Sequence, residues 1–354
     1  MTFDFAMTYF RHNIEQMSGY VPGEQLIGTN IIKINSNENP YPPSPLVLAA
    51  LRNLDGELLR RYPEPMAGRF RTAVSAALDL PSDWIIVGNG SDELLGVITR
   101  ACTSPQRQIV CPMPTYVLYR TLAQIQDAEF VEIPYDDNYN LPLEEIIAAN
   151  GAVTFIASPH SPSGTVVPLD LLDKLAAQLQ SILVIDEAYV DFAAEDALEL
   201  AKKHDNVIVL RTLSKGYSLA GIRLGFAVAN PGLIAGLMKV KDSYNVDAIA
   251  CIVGVAALQD QAHKNANAEK IKTSRATLAS ELQKLNFDVC PSQANFLLAR
   301  SPHGNAEYLY HSLKTRGILV RYFPQPRLED KLRITVGTDE QNAQLVKALA
   351  EIMG

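Results

Sequence analysis

The sequence predicts an α/β protein: a large domain with a mainly parallel seven-stranded sheet between helices, then a smaller α+β domain. Three observations predict it. Seven short apolar runs recur between residues 84 and 228 without polar alternation, the pattern of strands buried on both faces. Helix-type stretches separate them, the rhythm of a parallel sheet. From about residue 287 the pattern changes to strands and helices mixed in a shorter stretch.

The elements follow in chain order. The first forty residues are rich in Asn, Gly and Pro and end in Asn37-Glu38-Asn39-Pro40-Tyr41-Pro42-Pro43. Prolines at this density rule out regular helix, so an irregular arm or ordered loop is expected. The seven strands are placed at Trp84–Val87, Gln108–Cys111, Glu129–Ile133, Val153–Ala157, Ile182–Ile185, Val207–Leu210 and Leu224–Val228. Helices are placed at Asp92–Ala101, Val117–Ile125, Leu143–Ala149 and Leu169–Gln180. The stretch Ile249–Leu285 reads as helical with a polar middle. Strands Asn295–Ala299 and Lys331–Val336 and helices Glu307–Arg316 and Glu340–Met353 complete the chain. The division expected is an arm at 1–29, a large domain at 30–262 and a small domain at 263–354.

Composition excludes several classes. The 354 residues carry 31 basic and 39 acidic side chains, a net charge of -8. Nucleic-acid binding needs clustered Lys and Arg, and no basic run occurs. Cys102, Cys111, Cys251 and Cys290 form no C-x-x-C pair, so neither a zinc site nor a redox motif is expected. Four reduced thiols suit the cytoplasm. The N-terminus lacks the basic-then-apolar order of a signal peptide. The longest apolar run, Ala248–Leu258, falls short of the ~20 residues that span a bilayer.

Parallel α/β sheets place their sites in loops at the carboxyl ends of strands. Five such loops carry polar residues. Gly88-Asn89-Gly90-Ser91-Asp92-Glu93 offers helix-start N–H groups to an anion; the same residues would also serve a plainly capped helix. Tyr116, in Pro114-Thr115-Tyr116, can stack on a flat ring or simply pack. Ser158-Pro159-His160-Ser161-Pro162-Ser163-Gly164 is a Pro-rich, rigid turn. Asp186, in Asp186-Glu187-Ala188-Tyr189, ends an apolar strand. An acid there is costly to bury unpaired, so it faces a cation or solvent. His160 has no second His at a ligand spacing, and no metal site is expected. In Thr212-Leu213-Ser214-Lys215-Gly216-Tyr217, followed by Gly221-Ile222-Arg223, two hydroxyls, a Lys and an Arg converge. An amine nucleophile acting on a carbonyl cofactor needs this placement.

At this point the residues resemble a family. The spacing Asp186–Tyr189–Lys215–Arg223, preceded by the P-x-x-P-x-G turn at 159–164, resembles the fold-type I pyridoxal-phosphate (PLP) dependent aminotransferases. Asn37-Glu38-Asn39-Pro40-Tyr41, Arg61-Tyr62-Pro63, Gly90-Ser91-Asp92-Glu93 and Gly317-Ile318-Leu319-Val320-Arg321 resemble their histidinol-phosphate aminotransferase branch. The resemblance runs from about Tyr20 to Arg333.

It implies a set of roles. Lys215 carries PLP covalently and shuttles the substrate proton. Asp186 pairs with the ring nitrogen, Tyr189 bonds the phenolic oxygen O3′, and Tyr116 stacks on the ring. Ser91, Asp92, Thr212, Ser214 and Arg223 hold the phosphate. Tyr62 reaches that phosphate from the second subunit of a homodimer with shared active sites. Tyr20, Asn39, Arg321 and Arg333 meet the substrates, a small-molecule amine and a 2-oxo acid. The implied reaction is transamination between histidinol phosphate and 2-oxoglutarate in histidine biosynthesis. One position departs from the family. Ser161 stands where an Asn usually donates to O3′, which leaves that contact to Tyr189 or to water.

Two other readings share the cofactor residues: an aromatic amino-acid aminotransferase and a decarboxylase of a phosphorylated amino acid. Both stay open, because the cofactor does the electronic work and the protein selects the bond. A non-catalytic ligand sensor of this fold would carry a fused DNA-binding domain, for which the stretch before residue 30 has no room.

Overall fold

The computed structural model describes residues 9–18 and 31–354. Its centre is a seven-stranded sheet: β1 (Ile85–Gly88), β2 (Ile109–Met113), β3 (Phe130–Pro134), β4 (Val153–Ala157), β5 (Ile182–Asp186), β6 (Val207–Thr212) and β7 (Gly225–Ala229). The spatial order is β1-β7-β6-β5-β4-β2-β3. β2 to β6 run parallel. β7 alone is reversed, antiparallel to both β1 and β6.

Side-chain alternation explains the unbroken apolar runs. On β5, Leu183 and Ile185 enter the core on one face of the sheet, and Val184 enters the core on the other. On β6, Val207 and Val209 join the first core and Ile208 and Leu210 the second. Both faces are covered, so successive residues are all apolar. β3 lies at the sheet's edge, and there the burial pattern weakens most.

Helix α1 (Ser91–Cys102) follows β1, and α2 (Leu118–Ile125) follows β2. The helical stretch expected over 249–285 is two helices, α3 (Ala248–Leu258) and α4 (Gln261–Lys284). The break has a local cause: the Asp260 carboxylate caps α4 by accepting from the His263 N–H. Beyond α4 a four-stranded antiparallel sheet forms from β8 (Asp288–Val289), β9 (Phe296–Arg300), β10 (Arg321–Tyr322) and β11 (Lys331–Thr335), in the order β10-β11-β9-β8. Its own core includes Leu278, Leu297, Leu332 and Leu349.

Two departures concern the N-terminal region. A short helix, His12–Gln16, lies in the arm expected to be irregular. Ile32–Lys33 pairs in parallel with Ile318–Leu319, so this segment packs with the C-terminal part of the chain. No described helix is long and apolar enough to cross a membrane.

Candidate active site

A cavity of about 230 Å³ opens at the carboxyl ends of β4, β5 and β6 and is closed on one side by the C-terminal sheet. Twelve of the residues singled out in the sequence line it: Ser91, Asp92, Tyr116, Ser161, Asp186, Tyr189, Thr212, Ser214, Lys215, Arg223, Arg321 and Arg333. They arrive from loops more than a hundred residues apart.

Strand alternation aims the central acid. Asp186 continues the parity of Val184, while Glu187 turns to the opposite face with Ile185. Asp186 is buried and accepts from the Tyr119 hydroxyl (2.7 Å) and the Ala188 N–H (3.1 Å). Among the described residues it has no ion-pair partner. Burial pushes its carboxyl up to about 6, against the two hydrogen bonds that lower it. Glu187 is also buried, but there Arg211 donates from Nε at 2.8 Å and lies within an ion-pair distance of 2.8 Å through Nη2.

Lys215 sits on the turn after β6. Its Nζ donates to the Ser36 carbonyl (3.3 Å) and lies 5.9 Å from the centre of the Tyr189 ring. Burial pulls its amine down to about 8, and the adjacent Arg333 adds to the effect. A substantial fraction is therefore neutral and nucleophilic near pH 8.

The start of α1 forms an anion cradle. No side chain caps it, so first-turn N–H groups are left for another acceptor. Gly90 adopts φ +79, a backbone conformation that favours glycine, and a Cβ there would lie 2.6 Å from the end of the Arg223 side chain. Arg223 is held by Asp92 (3.0 Å) and donates to the Ser214 hydroxyl (3.3 Å). Thr212 and Ser214 hydrogen-bond each other at 3.0 Å. The buried Thr115 hydroxyl, on the same cavity, has no hydrogen-bond partner among the described residues.

On the other side, Arg321 and Arg333 face each other in register across β10 and β11. Arg333 packs against Phe296 and Phe323, and Arg321 against Phe323. Arg333 also donates to the Asn35 carbonyl (3.1 Å) and to Ser161 (3.4 Å).

Two expected residues stand elsewhere, and a third is not among the described residues. Asn39 does not line the cavity; its amide donates to the carbonyls of Lys215 (3.0 Å) and Gly216 (3.3 Å) and so braces the lysine turn. Tyr62 is at the surface, 83% exposed and stacked on Tyr244 at 4.7 Å. Tyr20 lies outside the described residues. His160 is fully buried between the Ser163 hydroxyl (2.6 Å) and the Pro114 carbonyl (2.8 Å). Both nitrogens are engaged and burial pulls the ring down to about 4, so it is a neutral strut of the Ser161 turn.

The cavity also holds residues the sequence did not single out as functional: Asn35, Ser36, Asn37, Tyr119 and Phe323. Asn37 was visible inside the Asn-Glu-Asn-Pro run, but spacing does not tell which Asn turns inward. Tyr119 reads from sequence as an ordinary helix aromatic.

The model of the family "Aminotransferase class I and II" matches residues 29–349. The chain belongs to this family. Among its relatives, histidinol-phosphate aminotransferase 1 of Trichormus variabilis is 64% identical over 346 residues, covering 98% of this chain and 99% of its own. Histidinol-phosphate aminotransferase of Synechocystis sp. is 41% identical over 350 residues, covering 98% and 99%. The crystal structure of histidinol-phosphate aminotransferase from Sinorhizobium meliloti, in complex with pyridoxal-5′-phosphate, superposes with a TM-score of 0.89 at 27% identity, covering 99% of this chain and 98% of that one. The similarity to that structure thus spans 99% of this chain.

Proposed function

We propose that this aminotransferase uses PLP to move the amino group between histidinol phosphate and 2-oxoglutarate, in histidine biosynthesis in the cytoplasm. The residues present fit the cofactor. The uncapped α1 start, Ser91, Thr212, Ser214 and Arg223 suit a phosphate. Asp186, a buried acid without a cation partner among the described residues, suits a protonated ring nitrogen. Tyr189 suits the phenolic oxygen and Tyr116 the ring face. When bound, PLP supplies an electron sink for the pair released at the substrate's Cα.

The chain's own residues do the rest. Lys215 would hold the cofactor through its nitrogen, and the same nitrogen, once freed by the substrate amine, would carry the proton between the substrate's Cα and the cofactor carbon on the far side of the amine nitrogen. Its depressed proton affinity makes it a base near neutral pH. Asp186 keeps the ring nitrogen protonated; a unit charge pair at ~4 Å is worth about 4 kcal/mol at an effective dielectric of ~20. The C-terminal sheet walls the cavity that Lys215 lines.

The observation that carries the substrate assignment is the pair of guanidiniums, Arg321 and Arg333, in register on one cavity wall. A single carboxylate is served by one Arg. Two, both packed on the Phe323 ring, suit a phosphate monoester, and the relatives named above carry histidinol phosphate in their names. Steady-state kinetics test this. Unphosphorylated histidinol is expected to lose on the order of a thousandfold in kcat/KM, and Arg321→Ala to erase most of that discrimination. Phenylalanine reacting as fast as histidinol phosphate would overturn the assignment in favour of an aromatic aminotransferase.

The exposed Tyr62–Tyr244 pair supports a homodimer in which Tyr62 serves the partner's phosphate cradle. Mixing inactive Tyr62 and Lys215 variants is expected to restore part of the activity; a fully active monomer contradicts it. The large and small domains divide near residue 262, where α4 begins.

A further inference from the structure

The cavity departs from its family at Ser161, and the surroundings of Tyr189 suggest what replaces the missing amide. The Tyr189 hydroxyl accepts from Asn37 Nδ2 at 2.9 Å. The orientation of that amide is set by its other end. The Thr335 hydroxyl accepts from the Asn37 N–H (2.9 Å), so its own proton goes to Asn37 Oδ1 (3.0 Å). Nδ2 is then the only atom that can face Tyr189. Asn37 is 1% exposed, adopts φ +57, and its carbonyl accepts from Asn295 Nδ2 at 2.9 Å. A non-glycine residue persists in this backbone region when its surroundings over-determine it.

Ser161, at the position of the family's usual Asn, has its hydroxyl oxygen turned to Nη1 of Arg333 (3.4 Å). With Asn37 Nδ2 donating to it, the Tyr189 oxygen is an acceptor on that side, and its own proton is left to be given toward the cavity that Tyr189 lines.

We propose that Asn37 is a positioning residue: held by Thr335 on β11, it fixes Tyr189 as an obligate proton donor toward the cavity, doing for this chain what the usual Asn does at position 161. This rests on the PLP reading above. A donor at the cofactor's phenolic oxygen draws negative charge from it and lowers the proton affinity of the neighbouring Lys215 nitrogen. Because Thr335 ends β11, Asn295 immediately precedes β9, and Tyr189 lies in the turn after β5, the seating of the C-terminal sheet against that turn sets this donor.

The test is a spectrophotometric pH titration of the resting holoenzyme, reading the cofactor's absorption. Asn37→Gly keeps the left-handed backbone without strain and removes only the side chain. It is expected to raise the titration midpoint by about 0.5 to 1 pH unit. Asn37→Asp, the same shape with an acceptor in place of the donor, draws the Tyr189 proton to itself. It is expected to raise the midpoint as far as Tyr189→Phe does. In a Tyr189→Phe background, Asn37→Gly is expected to add nothing. A purely structural role would lower the melting temperature and leave the midpoint in place. An unmoved midpoint, or an equal shift with and without the Tyr189 hydroxyl, overturns the proposal while leaving the PLP assignment intact. A protein with no cofactor absorption bound at Lys215 overturns both.

Discussion

Asp186 and Glu187 are neighbours in the chain, both buried at the end of β5, and they are handled in opposite ways. Strand alternation sends them to opposite faces of the sheet. On one face Glu187 has Arg211 as its ion-pair partner, although burial still pushes its carboxyl up to about 7. On the other, Asp186 receives a hydroxyl and one N–H and, among the described residues, no cation. Burying a carboxylate without a counter-charge is costly. The first acid is thus a structural element, and the second is an incomplete pair that a cationic ligand completes. Burial alone does not mark a functional acid; the missing partner does.

The contrast breaks most readily at Asp186 itself. Asp186→Ala is expected to cost about a thousandfold in kcat/KM at saturating PLP, the size of the ~4 kcal/mol charge pair, with little change in melting temperature. Turnover within tenfold of the parent would end its role as the ring's counter-ion. Across the sheet, Arg211→Met leaves Glu187 uncompensated. Urea unfolding is expected to show a loss of at least about 3 kcal/mol, while turnover per folded molecule stays near the parent's. A variant that kept its stability and lost its activity would erase the distinction between the faces.

A third way to sharpen it is pH. In cofactor-free protein the Asp186 carboxyl lies at about 6, above its ordinary 3.8. A raised acid contributes its full stability below the unfolded value and loses it as pH rises through the folded one. Asp186→Asn should therefore stabilise cofactor-free protein at pH 7 relative to pH 4, by up to about 3 kcal/mol. Chemical denaturation at the two pH values checks this; an equal effect at both refutes the buried, unanswered charge. The smallest expected effect is at Tyr119. Tyr119→Phe removes one hydrogen bond to Asp186, worth about 1.5 kcal/mol, and should weaken PLP binding roughly tenfold by equilibrium dialysis. Unchanged affinity would show that the Ala188 N–H suffices.

Much of this arrangement was legible in the sequence because apolar runs carry local information. β4 coincides with its expected span at Val153–Ala157, and the other six central strands lie within one or two residues of theirs. Their ends slip where the last residues are Gly88, Asp186 or Arg211-Thr212, which pair in the sheet but leave no hydrophobic mark. The reversal of β7 was not legible, since composition does not encode direction. Nor were two-residue strands such as Arg321–Tyr322 and Ile318–Leu319, which exist only through distant partners. The same limit hid Asn37 and Tyr119. Their meaning lies in hydrogen bonds spanning 152 and 67 positions, whereas Lys215, Asp186 and Arg223 announced themselves by residue type at strand ends.

The central claim, a PLP site built on Lys215 opposite an unanswered Asp186, is tested most directly by chemical trapping. Purified holoenzyme is treated with borohydride, digested, and its labelled peptide sequenced. The account predicts a single labelled peptide containing Lys215, with no labelling of a Lys215→Ala variant. Label at another lysine, or full turnover by Lys215→Ala, would contradict it.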